Sequence, residues 1–306
     1  MKEKWNRFKK SYLLYSFKRD RVAIASFIVL LMLVLLSILA PVISPYDPYD
    51  ANNIDIMNSE IPPVWVEEGR RDFVFGTDIQ GRDLLSTIIY GLRLSILIGC
   101  GAVLLQALLG IMIGLVSGYF GGKVDAVLMR IADIQLSFPY LMVAIFISAI
   151  FQVAFGIGRF EELAVPLLIV IIGVSEWPQI ARTVRASVMG EKSKEYVEAA
   201  RVIGLSPKLI MIRHILPNTM TAVLVISTIQ VANAIMSEAA LSFLGLGMPI
   251  TKPSLGSLIK SGFEYIFSGS WWITLFPAVL LVVLVLVINL LGDWLRDVLN
   301  PKLYKG

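Results

Sequence analysis

The sequence predicts an all-α membrane protein with six transmembrane helices. Of its 306 residues, 57% are hydrophobic and only 16% are charged, which is a low charged fraction for a soluble protein. Uncharged runs of about eighteen residues or more recur, and each is long enough to cross a bilayer as a helix. Lysine and arginine concentrate in the segments that an even number of spans places on one side. These observations exclude a single soluble core.

The first predicted span follows a basic N-terminus. Residues 1–21 carry eight lysines and arginines with aromatic side chains between them, which predicts an amphipathic helix on the anionic cytoplasmic leaflet. Val22–Ile43 is then an apolar run that is long enough to span the membrane. A cleaved signal peptide is the alternative. We expect an uncleaved anchor, because the run is too long and no small-residue cleavage site follows it.

Residues 44–90 change character and are expected outside the membrane. Prolines and acidic residues dominate the first part of this segment. The glycines and aspartates of 75–83 favour tight turns. The sequence therefore predicts an acidic, irregular segment between the first and second spans.

Five further apolar runs complete the prediction: Leu94–Val116, Ile134–Phe155, Leu163–Ala181, Met220–Gly245 and Ser268–Gly292. In the second span, Gly110 and Gly114, with Gly118 just beyond it, repeat every four residues, which lets a neighbouring helix pack closely. We expect the third span to bend near Pro139 and the fourth to be interrupted by prolines and by Glu176. Asp133 and Glu176 are expected near the inner surface, in solvated or paired roles.

The distribution of positive charge predicts that both termini are cytoplasmic. The segments assigned to the inside hold 20 lysines and arginines, and those assigned to the outside hold 7. An excess of these residues marks cytoplasmic loops. The loop between the fourth and fifth spans therefore faces the cytoplasm.

That loop, residues 187–217, is a charged island that predicts a projecting knob of two short helices. Glu195–Ala200 favours a helix, and Gly204 suits its C-terminal end because glycine enters the left-handed conformation without steric cost. Ser206 and Pro207 suit the start of a second helix. A helix-turn-helix without a partner is the alternative interpretation.

The motifs of this loop resemble the "EAA" loop of permease subunits in bacterial ATP-binding-cassette (ABC) importers. His214 through Asn218 is similar to the variant in the dipeptide, oligopeptide and nickel branch, although that family usually has an apolar residue at the position of His214. Residues 75–83, 234–247 and 289–301 resemble three further motifs of the branch, with Asn300 replacing an aspartate. The resemblance assigns contact with the ATPase to Tyr196, Glu198, Ala199, Ala200, Gly204, Leu205, His214 and Pro217.

The resemblance implies a type I ABC importer permease fold, with an N-terminal unit at 1–90 and a five-helix core at 91–300. It implies a non-catalytic subunit that couples ATPase motion to alternating access for di- or oligopeptides. The expected partners are a sister permease, two ATPase subunits and an extracytoplasmic solute-binding protein in the inner membrane of a bacterium or archaeon. ATP and Mg would bind the ATPase subunits. No cofactor on this chain and no nucleic acid are expected.

Three polar residues near the fifth span are candidates for a pathway or gate: Gln230, Asn233 and Glu238. A carboxylate in a span is costly and is a functional candidate for that reason. For Glu238, contact with a peptide amine is one interpretation, and a structural hydrogen bond is the favoured one. Hydrogen bonds between helices explain Gln230 and Asn233 equally well.

Other functions are less consistent with the sequence. Gly122-Lys123 is followed by Val124, so the phosphate-loop pattern is incomplete and no nucleotide site is predicted. No catalytic triad, zinc motif or cysteine cluster supports an enzyme. A self-sufficient secondary transporter or channel is the alternative, but the inverted repeat typical of secondary transporters is not found.

Overall fold

The computed structural model describes residues 12–50 and 54–299, and the regular elements in these ranges are helical. Residues 1–11, which hold most of the predicted amphipathic helix, lie outside the described ranges. The α-helices, in chain order, are α1 (Tyr12–Arg19), α2 (Arg21–Ile38), α3 (Ala40–Ile43), α4 (Leu84–Phe120), α5 (Gly122–Leu136), α6 (Tyr140–Phe155), α7 (Ile157–Glu162), α8 (Ala164–Lys192), α9 (Glu195–Val202), α10 (Pro207–Ile210), α11 (Leu216–Phe243), α12 (Leu255–Phe263) and α13 (Trp272–Val298).

Five helical stretches in the described ranges are long and apolar enough to cross a membrane. They are α2, α4, α8, the stretch Pro207–Phe243 that ends with α11, and α13. The third predicted span is a broken pair, because α5 and α6 meet at an angle of 83°. Pro139 stands at the N-terminus of α6, where proline disfavours a continuing helix. If the pair counts as one span, the total is the predicted six.

The centre of the fold is the pairing of α4 with α8. A methyl group added to Gly114 would lie 2.5 Å from the carbonyl oxygen of Ala181, and one added to Gly118 would lie 2.9 Å from that of Arg185. The predicted glycine face therefore brings two backbones together, as expected. The expected interruption of the fourth span is wrong. α8 runs unbroken through Pro178, which is buried within the bundle.

Buried apolar side chains form three main clusters along the bundle. The first joins α4, α11, α12 and α13 near the start of α4. The second joins α4, α6, α8 and α11, and the third joins the far end of α4 to α8, α9 and the start of α11. Because α4 takes part in all three, it connects the two ends of the molecule.

The acidic segment (residues 44–83), which is described over 44–50 and 54–83, folds against the end where α4 begins. Arg82 and Asp78 form a buried ion pair at 2.6 Å, and the Arg82 guanidinium also donates to the carbonyl oxygen of Ile250 at 3.0 Å. The indole of Trp272 donates to the carbonyl oxygen of Thr77 at 3.1 Å. The segment is thus fastened to both α13 and the loop that follows α11.

Candidate functional site

Helix α9 forms the body of the knob (residues 187–217). Val197 and Ala200 are buried on one face, where they pack with Ile210 and Ile215 in the third apolar cluster. Ala199 and Glu198 lie on the exposed side. The small side chain of Ala200 therefore serves packing inside the knob, and Ala199 is the alanine that a partner protein can approach.

Gly204 ends α9 in the conformation predicted from the sequence. Its φ is +87°, in the left-handed region that favours glycine. The amide of Gly204 donates to the carbonyl oxygen of Arg201 at 2.9 Å, and that of Leu205 donates to Ala200 at 3.1 Å. These two bonds close a Schellman motif. Leu205 is half-buried and packs on the third cluster.

Two apolar side chains project from the end of α9. Val202 is 88% exposed and Ile203 is 77% exposed, and we call these two residues the apolar tip. Neither residue is among the predicted contact residues. Two adjacent branched apolar residues within a charged loop were the feature that could have identified them, since exposed apolar patches commonly mark interaction sites.

The second helix of the knob differs from the prediction. α10 has only four residues, and it continues through a π-helical turn, Met211–Ile215, into α11. Pro217 therefore lies inside a continuous helix rather than at the mouth of the span. Pro217 has no amide hydrogen and so makes no helical hydrogen bond of its own. The side chain of the next residue, Asn218, donates to the carbonyl oxygen of His214 at 2.7 Å.

The hydroxyl of Tyr196 connects three helices. It donates to the carboxylate of Glu191, near the end of α8, at 2.5 Å. It also accepts from the amide of Asn218, at the start of α11, at 3.1 Å. Burial and the neighbouring Glu191 raise the pKa of Tyr196, so the phenol remains protonated and can donate. One side chain of α9 thereby holds α8 and α11 together.

A cation–π contact attaches the knob to α4, and an ion pair lies close to it. The guanidinium of Arg201, on α9, lies 5.5 Å from the ring centre of Tyr119 near the end of α4, within the range of a cation–π interaction. Arg185 of α8 forms a two-point ion pair with Asp125 of α5, at 2.5 and 2.6 Å. The knob therefore rests on α4, and an ion pair beside it joins α5 to α8.

Five polar side chains form a connected chain of hydrogen bonds between α4, α8 and α11: Gln106, Glu176, Gln230, Asn233 and Ser237. Glu176 accepts from Gln106 at 3.3 Å and from Ser237 at 3.1 Å. Gln230 donates to Gln106 and accepts from Asn233. We call this group the polar cluster. Gln230 is fully buried, whereas Asn233 is exposed. The side chain of Gln230 thus bonds between helices in this structure.

The position of Glu176 corrects one expectation. Its side chain is buried between three helices, rather than solvated near the inner surface, because α8 extends well beyond the end of the predicted span. Asp133 is paired as expected, with Arg182 at 2.5 Å on the exposed side of α5 and α8.

Glu238 lies in a cage of serines. Its carboxylate accepts from Ser95 at 2.9 Å and from Ser242 at 2.7 Å, and it is completely buried. Ser242 also accepts from the amide of Met248, which ties in the loop after α11. The favoured interpretation, a structural hydrogen bond, agrees with this geometry.

The described residues contain no group of three or more histidine, cysteine, aspartate or glutamate side chains that could hold a metal ion. Gly122 and Lys123, which partly match a phosphate loop, form the first turn of α5. In this structure Lys123 is exposed.

Comparison with known proteins decides the family. Residues 110–305 match the model of the binding-protein-dependent transport system inner membrane component. Residues 1–63 match the N-terminal transmembrane domain of oligopeptide transport permease C. The chain belongs to this permease family. It is a multi-pass component of the inner membrane and a transport subunit rather than an enzyme.

Curated relatives match this permease over nearly its whole length. The dipeptide transport system permease protein DppC of Haemophilus influenzae is 37% identical over 94% of this chain and 93% of its own. The oligopeptide transport system permease protein OppC of Escherichia coli is 40% identical, over 94% of this chain and 89% of its own. These matches favour the importer permease over the alternative of a self-sufficient secondary transporter or channel.

A solved structure confirms the predicted fold of the permease. A chain of the MetNI methionine ABC transporter, in an inward-facing conformation, superposes with a TM-score of 0.52 at 23% identity, covering 70% of this chain and 96% of that one. At this identity the likeness shows the fold alone. The type I importer permease fold expected from the motifs is thus present.

Proposed function

We propose that this permease belongs to an ATP-driven importer of di- or oligopeptides, and that its knob receives the motion of the ATPase. The observation that carries the second part is the Tyr196 hydroxyl, which joins the knob to both α8 and α11. A force on α9 therefore reaches two spans at once. The peptide class is supported by the substrates in the names of the relatives from H. influenzae and E. coli.

The apolar tip is the surface best suited to contact an ATPase subunit. Val202 and Ile203 are largely exposed in a loop outside the spans, so lipid does not cover them there. Burying both side chains in a partner's cleft would stabilise a complex by about 1.5–3 kcal/mol for each fully buried residue. Ala199 and Glu198 lie on the exposed face of the same helix. The small side chain of Ala199 permits close approach by a partner.

A complete importer of this kind contains a sister permease, two ATPase subunits and an extracytoplasmic solute-binding protein. We place ATP and Mg on the ATPase subunits. The polar cluster connects α4, α8 and α11 inside the span, and Asn233 is its exposed member. Asn233 is therefore our candidate for a residue on the substrate path, while Gln230 and Glu238 have supporting roles.

The knob proposal is tested by changing Ala199 and Val202. Ala199→Arg and Val202→Asp should each leave membrane insertion unchanged, because neither lies in a span. Co-purification of the ATPase and uptake of a labelled dipeptide by cells should fall together. Lys208→Ala, an exposed change on α10, should alter both by little, since such surface changes usually cost within about 0.5 kcal/mol. Normal co-purification and uptake in Ala199→Arg would refute the coupling role.

The orientation has its own test. We place the knob and both termini in the cytoplasm and the acidic segment outside, as the charge distribution predicts. In a Cys100→Ala background, Glu67→Cys should react with a membrane-impermeant maleimide in intact cells, whereas Ser193→Cys should react only after lysis. Reaction of both in intact cells would contradict this orientation.

The division into units 1–90 and 91–300 stays a prediction, and residues 90 and 91 both lie within α4.

A further inference from the structure

A short turn in the acidic segment presents two bare apolar side chains. Ile56 is 77% exposed and Met57 is 88% exposed, within the 3₁₀ turn Ile56–Asn58. We call these two residues the outer tip. The turn precedes α4 and lies outside the membrane-spanning helices. Contact with lipid along a span therefore does not explain why these apolar side chains are exposed. Exposed apolar residues commonly mark a contact surface.

The fold holds the outer tip in a fixed position. The carboxylate of Asp55 accepts from the amide of Met57 at 3.0 Å, and Arg70 donates to the side chain of Asn58 at 2.9 Å. On the other side, the turn lies against Gly81, where an added methyl group would be 1.9 Å from the carbonyl oxygen of Asp55. A turn whose backbone is held in advance loses little freedom on binding, which favours affinity.

The turn that packs against the outer tip is connected by hydrogen bonds to the loop at the end of α11. Gly81 belongs to the turn that contains the buried Asp78–Arg82 pair. Arg82 donates to the carbonyl oxygen of Ile250, in the loop that follows α11. A partner seated on the tip would therefore press on the same helix that the knob joins at its other end.

Charge distinguishes the possible occupants of the tip. Residues 44–83 contain nine acidic and three basic residues, a formal net charge of −6. This charge opposes insertion into an anionic lipid surface, which attracts basic segments. It suits a soluble protein that offers an apolar pocket with a basic rim, because complementary charge steers association.

We propose that the outer tip is an anchor for the extracytoplasmic binding protein on which this family depends. The inference rests on the proposed orientation, which places the acidic segment outside. Met57 fills an apolar pocket of the binding protein, and the acidic segment that carries it meets a basic rim. The contact is carried by the part of the chain that precedes α4.

The test uses the assembled importer in nanodiscs and its purified binding protein. Met57→Asp should weaken binding about tenfold or more, as expected for removal of an anchor residue, and binding should weaken further at high salt. A photo-crosslinking residue in place of Met57 should form an adduct with the binding protein. Val74→Asp, a change at another exposed apolar residue of the same segment, should leave binding within about twofold.

Three outcomes would overturn the proposal: unchanged binding in Met57→Asp, equal losses in Met57→Asp and Val74→Asp, or crosslinks to lipid alone. ATPase co-purification is measured in the same samples. It should be normal in Met57→Asp, because the tip lies at the opposite end of α4 from the knob. Failure of the knob proposal would appear as normal ATPase co-purification in Ala199→Arg, and it would leave the effect of Met57→Asp on binding readable.

Discussion

The acidic segment and the knob lie at opposite ends of α4, and they are attached to the bundle in different ways. Arg82 and Asp78, which fasten the acidic segment, are each at most 2% exposed. Tyr196, which fastens the knob, is 37% exposed. A buried ion pair is costly to break, whereas hydrogen bonds that water can replace contribute little net stability. We therefore expect the acidic segment to stay fixed to the bundle and the knob to shift more easily relative to it.

The strongest test of this comparison is Arg82→Ala. It would leave the Asp78 carboxylate buried without its cation, which typically costs about 3–5 kcal/mol. We expect a clearly lower unfolding temperature of the purified importer in detergent, or loss of the chain from the membrane. Arg70→Ala removes an exposed arginine of the same segment and should change that temperature little. Similar effects from both would show that the buried pair is not the main fastening.

At the knob, Gly204→Val should have the next largest effect. No atom lies within 4 Å of a methyl group added there, so the cost comes from the backbone conformation alone and should be about 1 kcal/mol or more. Insertion should persist while uptake falls. Gly204→Asn is the matched control, because asparagine tolerates the left-handed region better than valine. Equal uptake by both variants would mean that the φ of Gly204 is unimportant for transport.

Tyr196→Phe tests the attachment of the knob, and it should destabilise the protein less than the two changes above. It removes one hydroxyl that makes two hydrogen bonds, with an expected loss of about 1 kcal/mol. The importer should still hydrolyse ATP, but it should carry less peptide per ATP hydrolysed, because α8 and α11 are no longer joined through α9. Tyr15→Phe, on exposed α1, should leave this ratio unchanged. An unchanged ratio in Tyr196→Phe would show that the hydroxyl does not transmit motion.

The smallest expected effect concerns Asp83, which caps α4 through the amide of Ser86 at 2.8 Å. Burial raises the pKa of Asp83, although the hydrogen bonds from Ser86 oppose this shift. Its contribution to stability is therefore present at low pH and is lost as the pH rises through the raised pKa. Asp83→Asn keeps a capping side chain and should flatten this pH dependence, with a change of about 0.5 kcal/mol at neutral pH. A pH profile of unfolding temperature identical to that of the parent would contradict this assignment.

Much of the fold could be predicted because its determinants are local. The apolar runs identify the spans, and the repeat of Gly110, Gly114 and Gly118 identifies the face that meets α8. The conformation of Gly204 followed from its position after a short helix. The start of the knob's second helix at Ser206 and Pro207 was predicted correctly, but its continuation into α11 was not. In the structure the π-helical turn Met211–Ile215 joins it to α11, and Pro217 lies in the first turn of α11.

Partners distant in sequence could not be predicted. Gln106, on α4, was not considered, yet it bonds to both Glu176 and Gln230 from helices far along the chain. Nothing near position 106 indicates this, because an isolated glutamine in a span has many possible partners. In the same way, the serines around Glu238 come from α4 and α11.

Composition and local pattern were enough to establish a membrane protein with several long apolar helices, and to predict the loop through which we propose that it acts. These properties follow from transfer of side chains into lipid and from backbone preferences, which each short stretch expresses alone. Which side chains are buried, paired or left bare depends on how the helices pack. Ala200 is covered and Val202 is not, although both belong to one turn of α9, because only one side of that helix meets the bundle.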